Sequence, residues 1–241
     1  MTYDELFITV KNYLQNDFPS NTWTNVAGTG VTTSDGTEQI NTFITQAEER
    51  IYNTVQIPPL RKNVTGVTSA NNKYLSCPPD FMSVFSMAVI ENVGTATENY
   101  TYLLNKDVNF IRAAYPNPTS TGLPQYYSLF GPTVASGTVT NELSFILGPT
   151  PDALYSVELH YYAYPESITT AGTSWLGDNY SPVLLYGTLV EAYTFLKGEV
   201  DLTAQYEKKY QEALGQLNRL GTGLERGDAY RDGQAKIKVN P

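Results

Sequence analysis

The chain has 241 residues, 41% apolar and 16% charged, with a net charge of −9, one cysteine and one histidine. That apolar fraction excludes a disordered chain, and the acidic balance excludes a grip on nucleic-acid phosphates, which needs clustered Lys and Arg. A lone Cys77 excludes an internal disulfide, and with a lone His160 it excludes a zinc site built from Cys and His.

The N-terminal MTYDELF lacks a basic region followed by an apolar run, so no signal peptide, transit peptide or membrane-spanning segment is expected. Thr2 and Glu5 have capping-box spacing. Leu6, Phe7, Val10, Tyr13 and Leu14 follow at helical steps, which predicts a first helix over Tyr3–Gln15. Asn16 to Gly36 is rich in Gly, Asn, Thr and Ser and reads as a long irregular loop. A second helix is expected over Glu38–Thr54. Its stripe is Ile40, Phe43, Ile44, Ala47 and Ile51, with Gln46, Glu48, Glu49 and Arg50 largely off it. Pro58-Pro59 stops it.

From Leu60 the period changes. Strands are expected at Lys73–Leu75, Val84–Glu91, Tyr100–Leu104, Pro124–Phe130 and Glu142–Leu147, with one short helix over Lys106–Tyr115. Tyr155–Tyr164 is the clearest strand. Val157, Leu159, Tyr161 and Ala163 alternate there with Ser156, Glu158, His160 and Tyr162. Ser167–Asn179 reads as a loop anchored by Trp175-Leu176.

Ser181-Pro182 then reads as a helix start. The following VLLYGTLVEAYTFLK is apolar almost all the way round and is expected to be buried on most sides. It is too short to span a bilayer. Gly198 is expected to supply a left-handed cap. Asp201 opens a further helix whose Leu202, Tyr206, Tyr210, Ala213, Leu214 and Leu217 share one face, so the pair should form an antiparallel hairpin. After Leu220 the glycines 221, 223, 227 and 233 sit among mixed charges, and no core-forming stripe is visible. The final KIKVNP alternates and could add to a partner's sheet edge.

Two helices, a β-rich middle and two helices make an α+β pattern. The expected arrangement is a four-helix core from two N-terminal and two C-terminal helices, an inserted antiparallel β-rich lobe and an extended C-terminal tail. The corresponding boundaries are 1–59, 60–166, 167–220 and 221–241.

Chemistry is sparse. A Ser–His–Asp or Cys–His arrangement would have to use His160, which reads as a sheet-surface or interface histidine with no G-x-S-x-G elbow beside it. Two carboxylates suffice for glycoside hydrolysis, and Glu142, Asp152, Glu158 and Glu166 are conceivable for it, but they read as turn and sheet-edge acids. The two Gly-Thr-Gly runs complete neither a dinucleotide loop nor a Walker motif. No catalytic residue, cofactor or metal is therefore expected.

The paired N-terminal helices with QINTFITQAEERIYN, the strand-opening CPPDFMSVFSM, PQYYSLFG, ELSFILGPTPDALYSVELHYYAYPESI and SWLGDNYSPVLLYGTLVEAYTFLKGEVDLTAQYEKKYQEALGQL cover nearly the whole chain. In this layout, with Pro79-Asp80 and Pro151-Asp152 turns tied to strands, the chain resembles the head-to-tail adaptor (connector) proteins of short-tailed bacteriophages. The resemblance implies a structural virion protein at the head–tail interface, made in the host cytoplasm. It implies a homo-oligomeric ring, commonly a dodecamer, joining the portal protein to a tail nozzle or tail tube protein, with no membrane. Double-stranded DNA would pass non-specifically through the ring. The tail residues Leu224, Arg226, Tyr230, Arg231, Ile237 and Val239 are expected to bind the portal. Tyr126, Tyr127, Phe130, Tyr161 and Tyr162 are expected to form an interface of the β lobe. Two alternatives stay open at this point: a carbohydrate-binding or glycan-cleaving virion protein, and a soluble β-rich binding module.

Overall fold

The computed structural model describes residues 1–16, 18, 21–24, 31–34, 36–117, 119–131, 134–135, 138–139 and 143–224. The fold is α+β, and the chain divides into two compact units, Met1–Pro59 with Pro165–Pro241, and Leu60–Tyr164.

The first unit is helical. α1 (Tyr3–Leu14) opens with the capping box of Thr2 and Glu5, and Gln15 closes it in the left-handed region at φ 47°. α2 (Gly36–Thr54) buries Ile40, Phe43, Ile44, Ala47 and Ile51, the predicted stripe. Glu48, largely off that stripe by its helical phase, is buried as well. Before α2, β1 (Asn21–Thr24) and β2 (Val31–Ser34) pair as an antiparallel hairpin. Part of the expected irregular loop is thus strand, in keeping with its Trp, Val and Thr content.

The expected loop 167–179 is largely helical. Ser167 caps the short α4 (Ile168–Ala171), which Gly172 closes at φ 77°. Ser174 caps α5 (Trp175–Phe195) by accepting from the Gly177 N–H. Both caps are hydroxyls, which satisfy first-turn N–H groups that nothing else in the helix can reach. Helical geometry breaks once inside α5, at Tyr180 (φ −150°, ψ 57°), two residues before Pro182. The predicted start at Ser181-Pro182 is therefore this break, set where proline cannot donate.

α5 packs against α1, α2 and α6 (Val200–Leu224), which is why Val183, Leu184, Leu189, Val190 and Ala192 are buried around so much of its circumference. Its contacts with α6 run in opposite senses: Tyr180 bonds Gln216, while Tyr193 packs on Tyr206. Between the two helices Lys197, not Gly198, takes the left-handed conformation, at φ 51°. The Lys197 N–H reaches the Thr194 carbonyl at 3.3 Å and the Gly198 N–H the Tyr193 carbonyl at 2.9 Å, the paired bonds of a Schellman cap. Gly198 is needed for space, since a Cβ there would lie 2.5 Å from Tyr193 Cδ1.

α6 also corrects the tail boundary. It runs past Leu220 to Leu224, and Gly221 is buried where a Cβ would collide with the Ile57 side chain.

The second unit is a two-sheet lobe. One sheet has the order β3-β12-β5-β6, all antiparallel: β3 (Arg61–Val67), β12 (Ser156–Ala163), β5 (Phe81–Glu91) and β6 (Asn99–Tyr102). The other has the order β4-β11-β8-β7: β4 (Tyr74–Ser76), β11 (Ser144–Gly148), β8 (Tyr126–Phe130) and β7 (Leu104–Asn105), with β7 and β8 parallel. The expected strand at 100–104 is thus split at buried Leu103, so that its two halves serve different sheets. α3 (Val108–Ala114) follows, capped by Asp107. A small hairpin, β9 (Val134–Ala135) with β10 (Thr138–Val139), lies between β8 and β11 in sequence.

The lobe core forms between the inner faces. Met87 and Val89 of β5 and Val157, Leu159, Tyr161 and Ala163 of β12 meet Tyr127, Phe145 and Leu147 of the second sheet. The register of β5 on β12 shifts twice, between His160 and Tyr161 and between Tyr162 and Ala163. Phe85 and Met82 are the extra residues of these bulges, and Phe85 is turned outward.

Candidate interaction surfaces

Of the acids considered for hydrolysis, Asp152 and Glu158 are each engaged by a different partner within the lobe. Glu158 and His160 are successive outward residues of β12, with His160 Nε2 3.4 Å from Glu158 Oε1 and Asn63 Nδ2 donating to the same oxygen at 3.0 Å. Asp152 accepts from the Tyr155 hydroxyl at 2.6 Å in the turn leading into β12. That bond, with burial and the Asp152 charge behind it, pushes the Tyr155 hydroxyl up to about 12. Glu166 is exposed in the helical unit, and Glu142 lies outside the described residues. Burial pushes the Cys77 thiol up to about 12, the wrong direction for a nucleophile. Among the described residues no three His, Cys, Asp or Glu groups are placed to hold a metal ion, and no helix is long and apolar enough to cross a membrane.

The polar groups act as fasteners instead. Asp80, in the Pro79-Asp80 turn, accepts from Lys62 Nζ at 2.6 Å and from the Tyr161 hydroxyl at 2.8 Å, so one carboxylate joins β3 to β12. Partial burial alone would raise its pKa, but these two bonds and the Lys62 charge hold it below the usual carboxylate range. In the helical unit, Arg50 of α2 bonds Glu207 of α6 at 2.7 Å and Glu191 of α5 at 3.4 Å, and its guanidinium lies 4.6 Å from the Tyr210 ring centre. Glu48 accepts from the Ser167 hydroxyl at 2.6 Å and the Ile168 N–H at 3.0 Å, tying α2 to the first turn of α4. Nothing in the sequence distinguishes Glu48 and Arg50 from ordinary solvated charges, because their partners lie over a hundred positions away.

The expected lobe interface separates into two groups. Tyr127 and Tyr161 belong to the core between the sheets, against Phe145 and Phe81. Tyr162 is buried on the other face, its hydroxyl accepting from Arg61 at 2.6 Å while Arg61 also covers Phe85. These three are therefore structural within the lobe. Tyr126 remains half-buried beside Phe110, and Phe130 is exposed near Arg112. In the lobe Leu154 (71% exposed) is the most accessible large apolar side chain among the described residues, followed by Tyr102 (68%), Val67 (61%) and Leu104 (59%), and Phe85 and Tyr100 are exposed as well. The alternation NYTY was the available signal for the two tyrosines.

Of the expected tail residues, Leu224 is exposed at the last described turn of α6. Arg226, Tyr230, Arg231, Ile237 and Val239 lie outside the described residues. Elsewhere in the helical unit Tyr13, Tyr186 and Tyr193 surround Tyr206, and Lys209 lies over the Tyr186 ring.

Most of these polar pairs hold strands and helices together, and the exposed tyrosines and Phe85 of the lobe are of a residue type enriched at protein interfaces. Comparison with curated proteins returns no match. The family model described as SU10 adaptor protein matches residues 1–235. The chain accordingly belongs to the SU10 adaptor protein family and is a structural head-to-tail adaptor of tailed phages.

Proposed function

We propose that the protein forms a ring, of twelve copies as in the connectors it resembles, that joins the portal of a short-tailed phage to its tail nozzle or tube. The ring lies at the head–tail interface of the virion and lets double-stranded DNA pass without reading it. The observation that carries this reading is the adaptor family match over residues 1–235. The net charge of −9 supports it, because a negative surface repels a sliding polyanion. Leu224, Arg226, Tyr230, Arg231, Ile237 and Val239 contact the portal, and Tyr126 and Phe130 contribute to a lobe interface. The protein acts by binding, with no catalytic step.

The test is the mass of the chain mixed with its cognate portal, by size exclusion with light scattering. A stoichiometric complex is expected, and no association by a demonstrably folded chain overturns the proposal. Deletion of residues 225–241 should abolish portal binding. The deletion starts there, and not at 221, because Gly221 packs against Ile57.

A further inference from the structure

The β3-β12-β5-β6 sheet has two uncovered edges among the described residues, and they differ in character. β3 is a seven-residue strand, exposed at every position after Arg61. From Asn63 onward it carries no charge or proline, the usual blocks to strand addition. Beside it, the seam between β3 and β4 is a groove of about 290 Å³, lined by Val64, Leu75, Cys77, Phe145, Val157 and Leu159. At the opposite edge β6 presents Tyr100 and Tyr102, and Leu104 protrudes just beyond it. The groove opens on the core-facing side of the sheet and the two tyrosines stand on its outer side, so the edges are related through the ladder: β3 and β6 are the two end strands of one sheet order, as a head-to-tail contact between identical subunits requires.

The register makes the relation specific. Tyr102 pairs Ala88, Ala88 pairs Glu158 and Glu158 pairs Thr65, so Tyr102 and Thr65 end one row of the sheet. Tyr100, Ile90, Ser156 and Val67 form the parallel row two residues away. Because all three pairings are antiparallel, β3 and β6 run in opposite directions. A second copy translated along the sheet therefore brings its β3 antiparallel to this β6. Unstaggered, that places Tyr100 beside Val67 and Tyr102 beside Thr65, aromatic against β-branched pairs of the kind that stabilise sheets. Charges agree: Glu91 and Glu98 flank the Asn99 end of β6, and the exposed Lys73 follows the turn at the Val67 end of β3.

We infer that the lobe sheet continues from copy to copy, with β6 of one subunit adding to β3 of the next. This rests on the ring reading above and identifies the surfaces that build the ring.

The test is a full-length chain carrying both Thr65→Cys and Tyr102→Cys, assembled with the portal and oxidised with copper. The two thiols lie on opposite edges of one sheet, about three strand spacings or roughly 14 Å apart, so they cannot join within a subunit. Cys77 lines the groove beside Thr65, so all the cysteine variants are made in a Cys77→Ala chain. A ladder of covalent multimers is expected, absent from either single variant. Val67→Cys with Tyr100→Cys serves as a second pair. Val67→Lys with Tyr100→Lys, which sets like charges across the seam, should weaken self-association by about tenfold without altering the circular dichroism. A ring of normal mass that yields no ladder from either pair overturns this inference and leaves the ring reading standing. A folded chain that forms no ring overturns both.

Discussion

Removing the Glu48 carboxylate should destabilise the helical unit far more than its place in the sequence suggests. Glu48 is 3% exposed and serves two donors, the Ser167 hydroxyl and the Ile168 N–H. In Glu48→Ala the buried Ile168 N–H is orphaned, at about 1–3 kcal/mol, while half-buried Ser167 can turn to water at about 0.5–1 kcal/mol. Lost packing of the side-chain methylenes adds about 1 kcal/mol. Relief of a buried charge offsets part of this, so the expected net loss is about 2–4 kcal/mol. Glu48→Gln keeps an acceptor for Ile168, and Ser167 can reverse its bond, so about 0–1 kcal/mol is expected.

The two variants also differ in pH dependence. Burial raises the Glu48 pKa above its ordinary 4.5 despite both hydrogen bonds, so the folded state holds the proton more tightly than the unfolded state. Stability from this group is therefore full below pH 4.5 and is lost as pH rises through the folded pKa. Glu48→Gln abolishes that slope. The assay is urea unfolding followed by helical circular dichroism at several pH values. The reasoning is refuted if Glu48→Ala stays within about 0.5 kcal/mol of the parent, or if the glutamine variant costs as much as the alanine one.

Two further outcomes follow from the packing. Gly221→Val drives a branched side chain into Ile57 and should cost about 1–3 kcal/mol, whereas Gly223→Val, where a Cβ meets nothing within 4 Å, should leave stability unchanged or raise it by about 0.3 kcal/mol through helix propensity; thermal melts of both compare them directly. Asp80→Asn weakens the tie to Lys62 and Tyr161 and should cost about 1–2 kcal/mol at neutral pH. The Asp80 pKa is depressed, so in the parent chain this contribution is present above pH 3.8 and fades as pH falls through the lower folded pKa; a parent and variant that stay equally far apart under acid titration would contradict it.

The α+β class was legible because periodicity changes twice along the chain. The Ile40–Ile51 stripe and the Val157–Ala163 alternation both lie buried where their spacing placed them. Elements without an internal pattern were not legible. β3 has Val64 and Val67 three apart, neither a helical face nor an alternation, and it is a strand because β12 offers it a ladder. α4 is four residues long, and a Ser cap with a Gly stop is its whole local signature. At the interaction surfaces tyrosine was the right residue type to suspect, but type alone cannot separate Tyr161, in the core, from Tyr102, on the edge. Strand parity and the opposing sheet decide that. By sequence Gly198 reads as a left-handed cap and Gly221 as the first residue of the tail, whereas the structure uses both for close approach.

The helical unit is made from the two sides of an interruption, since α1 and α2 precede the lobe while α5, which packs on both, follows it. During synthesis α1 and α2 must therefore wait for the ribosome to traverse the whole of Leu60–Tyr164, on the order of ten seconds at ordinary elongation rates. The faces carrying Leu6, Val10, Phe43 and Ile44 are without their α5 partner during that interval. A lobe that folds as it emerges brings Pro59 and Pro165 nearer than an unfolded insert would, which lowers the closure entropy that α5 must overcome. The lobe thereby acts as a timer and a splint for the helices that bracket it, and slow codons placed after Tyr164 would prolong the exposure of those faces.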